Sequence, residues 1–269
     1  MYPNQNRPDH ITAHFMTDLY IPLQITPGIS GVYLKPICGK DEILVEDVST
    51  KTALMLLEGL IRIDGGDYPM NKISSAKICT PDRDRILASL YISIYGPKVE
   101  STVPCEECNE LFDLDFSLVD LLNHYQPEPV LQLKDSGYQL ESGSIFRFPT
   151  GEDELLLSGI HQNVAEFFLI SRCIVKGDPG KDGATVQTKM AEIAPILNVE
   201  MKATCPTCSH VHDVQFDIQS FLLTKLKQQR PQLIQEIHCI ARNYHWSQES
   251  ILALSRNLRK QYASLIESE

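Results

Sequence analysis

The sequence lacks the features that suit a protein to a membrane, to secretion or to nucleic acid. No apolar run approaches the roughly 18–20 residues needed to span a bilayer. The opening MYPNQNRPDH has neither a basic n-region nor an apolar h-region. Basic residues are outnumbered, 24 against 35 acidic ones, and the net charge of −11 repels a phosphate backbone on average. We therefore expect a cytoplasmic protein with no membrane, no nucleic acid and no small-molecule substrate among its partners.

Signatures of catalysis are also missing. The sequence contains no phosphate-cradling glycine loop and no nucleophile elbow. The acidic pairs Asp41-Glu42 and Asp153-Glu154 could be taken for catalytic carboxylates. Both pairs stand at predicted helix starts, however, where carboxylates cap the helix and stabilise its dipole. The sequence predicts a protein that is not an enzyme.

Eight cysteines are present, and four of them form two CxxC pairs. Because nothing indicates secretion, these pairs are interpreted as metal ligands and not as disulfides. Four thiolates satisfy the tetrahedral preference of a structural zinc. The predicted ligands are Cys105, Cys108, Cys205 and Cys208. The remaining cysteines are interpreted as small buried apolar residues; they are Cys38, Cys79, Cys173 and Cys239.

Other interpretations of the CxxC pairs stay open. The position after the second cysteine often holds glycine at positive φ, whereas this chain has Asn109 and Ser209. His210 and His212 are alternative ligands, but His212 lies in an alternating strand and is predicted to be a surface or packing residue. Metal-free turns or a dithiol redox site would fit the same residues. A zinc with four thiolates has no open position for water, which favours a structural role.

An internal repeat organises the chain. Residues 98–122 match residues 198–222 at a constant offset of 100, which superimposes both CxxC pairs. A second match relates YLKPICGKDEIL, 33–44, to FRFPTGEDELL, 146–156. Since the matches occur in the same order, they predict two copies of one unit. The predicted organisation is an N-terminal extension, 1–28, unit one, 29–125, a linker, 126–142, unit two, 143–226, and a helical tail, 227–269.

The predicted fold class is α+β and dominated by helix, with one β-hairpin per unit and a zinc-ribbon-like site that joins the units. The alternating segments LFDLDF and VHDVQF pair with VESTV and VEMKA as these hairpins. Helices are predicted over 51–63, 80–96, 161–176 and 185–196, and three more are predicted in the tail, over 230–243, 247–254 and from 255 onward.

Two stretches resemble the phage baseplate hub-assembly proteins of the T-even type, whose relatives occur in extracellular contractile injection systems. They are PDRDRILASLYISIYGPKVESTVPCEECNELFDLDFSLVDLL and EIHCIARNYHWSQESILALSRNLRKQYASLIE. The resemblance implies an assembly chaperone or a minor structural component of the baseplate hub of a contractile tail. It also implies that the partners are other hub or tail proteins, within a bacterial host or producer.

Charge asymmetry indicates where those partners bind. From Thr224 onward, seven Lys and Arg stand against four Asp and Glu. The predicted contact surface is centred on Trp246, Arg256, Arg259 and Lys260.

Two other classes of protein remain as alternatives. One is a zinc-ribbon nucleic-acid-binding or regulatory protein, although acidic residues on the hairpins oppose it. The other is a zinc-dependent enzyme, which would need an open zinc position.

Overall fold

The computed structural model describes residues 18–63, 74–128 and 137–267, and its fold is α+β with about half of the chain in helix. This confirms the predicted fold class. Residues 1–17 of the predicted extension and 129–136 of the predicted linker lie outside the described residues.

Unit one is a small sheet followed by helices and a long hairpin. Strands β1, β2 and β3 form an antiparallel sheet in that order, and β4 pairs with β5 along seven residues. A single 3₁₀ turn, Ser75–Lys77, precedes the third helix. The elements are β1 Leu19–Pro22, β2 Gly31–Leu34, α1 Gly39–Glu42, α2 Thr50–Leu60, β3 Ile61–Ile63, α3 Thr80–Tyr95, β4 Lys98–Pro104, β5 Leu111–Ser117 and α4 Leu118–His124.

Unit two repeats this order of strands and helices. Its sheet has the order β6-β7-β8, and its hairpin pairs β9 with β10, again along seven residues. The elements are β6 Tyr138–Gln139, β7 Ile145–Phe146, α5 Gly151–Leu156, α6 Gln162–Cys173, β8 Ile174–Lys176, α7 Pro179–Ile193, β9 Asn198–Thr204, β10 Val211–Asp217 and α8 Ile218–Gln228.

The sheet of each unit begins before the boundary that the sequence predicts. Strand β1 lies in the predicted extension, 1–28, and β6 lies in the predicted linker, 126–142. Each of them pairs with the next strand of its own unit. Strands of two to four residues carry too little alternation to be recognised, whereas the pairing itself is evident in three dimensions.

Two predicted helices end early and continue as strands. Helix α2 stops at Leu60 and α6 stops at Cys173, after which β3 and β8 pair with β2 and β7. The β-branched residues Ile61, Ile63 and Ile174 favour a strand once a partner edge is available. Helix α3 ends at Gly96, whose φ of 84° terminates it as the sequence predicts.

The two units share one main hydrophobic core. It combines Leu57 of α2 and Leu90 of α3 with Phe216, Leu222 and Leu223 of unit two. A second core lies under the sheet of unit two, where α6 and α7 pack together. The units are therefore one folded body and not two independent domains.

Each unit's short first helix is capped by its own aspartate. Asp41 Oδ2 accepts the backbone N–H of Cys38 at 2.9 Å, and Asp153 Oδ2 accepts that of Thr150 at 3.0 Å. Both aspartates complete a capping box at the helix start. The predicted capping role is confirmed for these two aspartates.

The glutamate that follows each capping aspartate joins distant parts of the chain. Glu154 of α5 accepts two hydrogen bonds from Arg83 of α3, at 2.9 and 3.1 Å, and one from the hydroxyl of Thr80 at 2.7 Å. A bidentate arginine–carboxylate contact of this kind is strong and directional. It docks the first helix of unit two onto the start of α3 in unit one.

The tail consists of three helices, and its last helix is held by a buried ion cluster. They are α9 Arg230–Tyr244, α10 Gln248–Leu252 and α11 Arg256–Glu267. Glu42 of α1 accepts hydrogen bonds from Arg256 and from Arg259, the latter at 2.6 Å. Arg259 Nε also donates to Glu236 of α9 at 2.8 Å. All four side chains are buried, so each charge depends on its partners.

We predict that Glu42→Ala loosens the tail. The substitution removes the shared carboxylate and leaves two buried guanidinium groups short of a counter-charge, which costs about 3 kcal/mol of unfolding free energy. Urea denaturation measures the loss, and hydrogen exchange should rise in α11 before it rises in α3. Glu249→Ala, which removes an exposed partner of Lys40, is the control and should leave the midpoint unchanged. Equal stability of the two variants would contradict this role of Glu42.

Candidate metal centre

The candidate site lies where the tips of the two long hairpins meet. Strand pairing brings Pro104 opposite Leu111 in one hairpin and Thr204 opposite Val211 in the other, which leaves a six-residue turn at each tip. The inner faces contact each other, and the rings of Phe116 and Phe216 meet edge to face at 5.0 Å. The two copies of the sequence repeat thus form two hairpins that face each other.

Both turns have the same knuckle geometry. The carbonyl of Cys105 accepts the N–H of Asn109 at 2.9 Å, and that of Cys205 accepts the N–H of Ser209 at 2.9 Å. Asn109 has a φ of 57° and Ser209 a φ of 61°, the left-handed conformation in which glycine is more usual. Because both non-glycine residues adopt this conformation, the missing glycines do not prevent the knuckle from forming.

The two knuckles bring all four predicted cysteines into one cluster. Their four Sγ atoms lie within 4.8 Å of one another. Two pairs that cross between the hairpins lie closer than this limit, with Cys105 Sγ 3.5 Å from Cys208 Sγ and Cys108 Sγ 3.8 Å from Cys205 Sγ. Disulfide sulfurs would be about 2 Å apart. By contrast, thiolates around a tetrahedral zinc at about 2.3 Å are separated by roughly 3.8 Å. The donor set and its spacing fit such an ion.

The electrostatics of the cluster also favour a bound cation. The backbone N–H of Cys208 donates to Cys205 and lowers the pKa of that thiol to about 6. For Cys108, a backbone N–H bond from Glu110 lowers the pKa, but the neighbouring thiols outweigh it and raise the pKa to about 12. Mutual repulsion between thiolates therefore opposes ionisation of the whole cluster. A divalent cation supplies the charge that removes this mutual repulsion.

The cluster is distinct from its surroundings. Among the residues that the structure describes, it is the only group of three or more His, Cys, Asp or Glu side chains placed to hold a metal ion. Cys105 and Cys205 are buried, Cys108 is half-buried and Cys208 is exposed. Four protein thiolates leave no coordination position for a substrate, so an ion bound here would support the fold.

His212 contacts the cluster from inside the hairpin pair. Its side chain is buried, and Nε2 lies 3.2 Å from Cys105 Sγ, within reach of an N–H···S hydrogen bond. Nδ1 has no hydrogen-bond partner and lies 4.0 Å from the carboxylate of Glu106. The expectation of a surface residue is therefore wrong, while the expectation of a packing residue holds. The corresponding position in the first hairpin is Phe112, whose ring lies 5.8 Å from the imidazole.

The predicted partner surface in the tail needs correction. Arg256 and Arg259 are only 5% and 0% exposed because Glu42 and Glu236 hold them inside the protein. Two basic residues on a helix normally indicate a solvated face, and Glu42, which pairs with both arginines, lies on α1 outside the tail. Trp246 is 37% exposed, and Lys260 is half-buried.

Trp246 belongs to an aromatic cluster that sequence reasoning missed. Its ring lies 5.4 Å from that of Tyr244 and 5.0 Å from that of Tyr262, and the two tyrosines are 5.6 Å apart. Tyr244 is 38% exposed. The spacing could have revealed part of this cluster, since Tyr244 and Trp246 flank the end of α9.

The other four cysteines lie outside the candidate metal cluster. Cys79 and Cys173 are buried in the second core, and burial raises the pKa of each thiol to about 12. Cys38 and Cys239 are half-buried. The first two thus match the predicted small buried residues, and the last two match only in part.

Comparison of the chain with protein-family models, with curated proteins and with solved structures gives no match. Among the described residues, no helix combines the length and the apolar character that crossing a bilayer requires.

We predict one zinc ion per folded chain. Changing Cys205 and Cys208 to serine should abolish binding and lower stability, because two of the four thiolates are lost. Elemental analysis of the purified chain measures the metal, and thermal denaturation with and without a chelator measures its contribution. Cys239→Ser, outside the cluster, is the control. A folded, metal-free wild type with an unchanged melting temperature in the double variant would refute the assignment.

We predict that His212 slows metal release. In His212→Phe the hairpin keeps its packing, as Phe112 shows for the other hairpin, but the N–H donor to Cys105 is lost. Residues that hydrogen-bond metal ligands commonly affect metal affinity by about tenfold or more. Zinc transfer to a chromogenic chelator should therefore be about tenfold faster in the variant. His210→Phe, at an exposed neighbouring position, should transfer zinc at the wild-type rate. Equal rates in all three proteins would reduce His212 to a packing residue.

Proposed function

We propose that this chain is a non-enzymatic assembly protein of the baseplate hub of a contractile tail, in a phage or an injection system. It acts as a chaperone or as a minor structural component, and a structural zinc at the four-cysteine cluster clasps its two units. The observation that supports a structural role for the zinc is the closed cluster itself, in which hairpins from both units supply all four cysteines.

The identity of the assembly rests on the resemblance to hub-assembly proteins. Its first stretch, 81–122, comprises most of α3, the first hairpin and α4, and its second stretch, 236–267, runs from α9 to the end of α11. These stretches meet in the folded chain, since the guanidinium carbon of Arg256 lies 5.6 Å from the centre of the Tyr95 ring. The resembling parts thus form a connected region.

The tail aromatic cluster, Tyr244, Trp246 and Tyr262, is the proposed contact surface for hub partners. Partly exposed aromatic residues are enriched among the side chains that dominate binding energy at interfaces. Lys260 lies on α11, the helix that carries Tyr262, and it supplies a charge at the edge of this surface. Arg256 and Arg259 shape the surface indirectly, because they hold α11 in place.

A zinc-ribbon nucleic-acid-binding role is a weaker alternative. The hairpin turns present Glu106, Glu107 and Glu110 to solvent, and Asp113 and Asp213 lie on the outer strand faces. These charges repel a phosphate backbone at the place where a zinc ribbon would have to contact it. A zinc-dependent enzyme would require one of the four thiolates to leave the metal.

We predict that loss of this gene blocks assembly of complete tails in the organism that carries it. Electron microscopy of lysates should show sheath and tube proteins without complete baseplates. A plasmid copy should restore assembly, and a Trp246→Ala copy should restore it poorly because the aromatic surface is truncated. Lys202→Ala, at an exposed position of β9, is the control and should restore assembly like the wild type.

Normal tails in the deletion strain would refute the proposal. If assembly does depend on the chain, mass spectrometry of purified particles separates the two roles. A fixed stoichiometry identifies a component, and absence from the particle identifies a chaperone.

A further inference from the structure

Helices α2 and α6 occupy equivalent positions in the two units, but other elements of the chain bury more of α2 than of α6. The offset of 112 that relates Asp41 to Asp153 also relates the first residue of α2, 50, to that of α6, 162. The same offset matches Ala53 with Ala165 and Leu57 with Leu169. The two helices can therefore be compared position by position.

In unit one, the outer face of α2 is covered by another helix of the same chain. Leu56 is 1% exposed and belongs to the main core together with Leu222 and Leu223 of α8. Helix α8 contacts α2 directly, and Gln219 Nε2 of α8 donates to the carbonyl of Val48 at 3.4 Å. An amphipathic helix thus occupies this face.

In unit two, the corresponding face is exposed. Phe168, the counterpart of Leu56, is 49% exposed, and Val164, the counterpart of the buried Thr52, is 47% exposed. Phe167 is 55% exposed, and its ring lies 6.1 Å from that of Phe168. Single exposed apolar residues are ordinary, whereas several on one turn of one helix mark an interaction surface. We call Val164, Phe167 and Phe168 the α6 face.

The repeat explains why no helix in the described part of the chain covers the α6 face. The counterpart of α8 in unit one is α4, because Leu118 matches Ile218 at the offset of 100. Helix α4 has only 7 residues, against 11 in α8, and it packs on α3. Unit one would have to supply the covering helix for α6. Its helix α4 is too short for this and packs on α3 instead.

We propose that the α6 face binds an amphipathic helix of a different polypeptide, in the place that α8 takes on α2. The expected partner helix has apolar residues at i, i+4, i+5 and i+8, the spacing of the buried α8 residues Ile218, Leu222, Leu223 and Leu226. This deepens the proposed assembly role and rests on it for the existence of a partner protein.

A second copy of this chain does not fit as the occupant through its own α8. In α8, Ile218, Leu222 and Leu223 are all 0% exposed, so a copy could offer this helix only by opening its own core. Opening the core would cost more free energy than binding to the α6 face would contribute. The α6 face offers one turn of apolar residues, which cannot replace the whole buried stripe of α8.

The test measures binding of a helix of this class to the full-length chain. The probe is a labelled peptide of residues 217–229, held helical by a covalent bridge between two polar positions, because so short a helix is marginal in water. We expect saturable binding by fluorescence anisotropy, and Phe168→Glu should weaken it by about tenfold or more. Met55→Glu, at the 45% exposed position of α2 that corresponds to Phe167, is the matched control and should bind like the wild type.

Three outcomes would overturn the proposal. Absence of binding, or equal weakening by both substitutions, would show that the α6 face does not receive such a helix. A dimer in sedimentation velocity that Phe168→Glu dissociates would assign the face to a second copy. Binding that requires deletion of residues 1–17 would assign it to this chain's own N-terminal segment. Because the peptide is tested on the isolated chain, its failure leaves the tail-assembly test standing, and the reverse also holds.

Discussion

The crowding of four thiols at the hairpin tips is the constraint on which the arrangement of the two tips depends. The tips have little else to hold them, since their buried cluster consists of Cys105, Phe112, Ala203 and Cys205. Four sulfurs within 4.8 Å repel one another once they ionise, and they contribute little packing while they stay protonated. A cation resolves this conflict because it turns the repulsion into four bonds. The geometry of the tips is thus understandable with a metal ion and poorly accounted for without one.

The bases of the hairpins are held in a different way. There the rings of Phe116 and Phe216 meet, and below them α8 of unit two enters the core of unit one. This part gains its stability from burial of apolar surface, which needs no metal. The junction between the units therefore has two parts, an apolar base and a thiol-rich tip. Metal removal should act first on the tip, and the shared core should persist.

Much of the site could be predicted from the sequence, because the information is local and appears twice. Each CxxC pair lies between two alternating strands, and the offset of 100 predicts that the pairs share one environment. The capping aspartates are recognisable for the same reason. Long-range ion pairs are different. Arg259 donates a hydrogen bond to Glu42, 217 residues away, so an arginine that looks like part of a basic helix face is neutralised and buried. The short strands β1 and β6 escape notice because pairing, and not composition, makes them strands.

Divergence between the two copies is as informative as their likeness. Where both copies keep a residue type, as at the cysteines and the capping aspartates, the fold uses it twice for the same purpose. Where they differ, the asymmetry has a physical consequence. Phe112 and His212 occupy one position, but only the histidine can donate to a sulfur. Leu56 and Phe168 also correspond, but only the leucine is covered. A large aromatic side chain that remains half exposed, at a position that its copy buries, is costly to maintain in water unless something else covers it. Comparison of the two copies therefore shows which described surfaces are covered in one unit and exposed in the other.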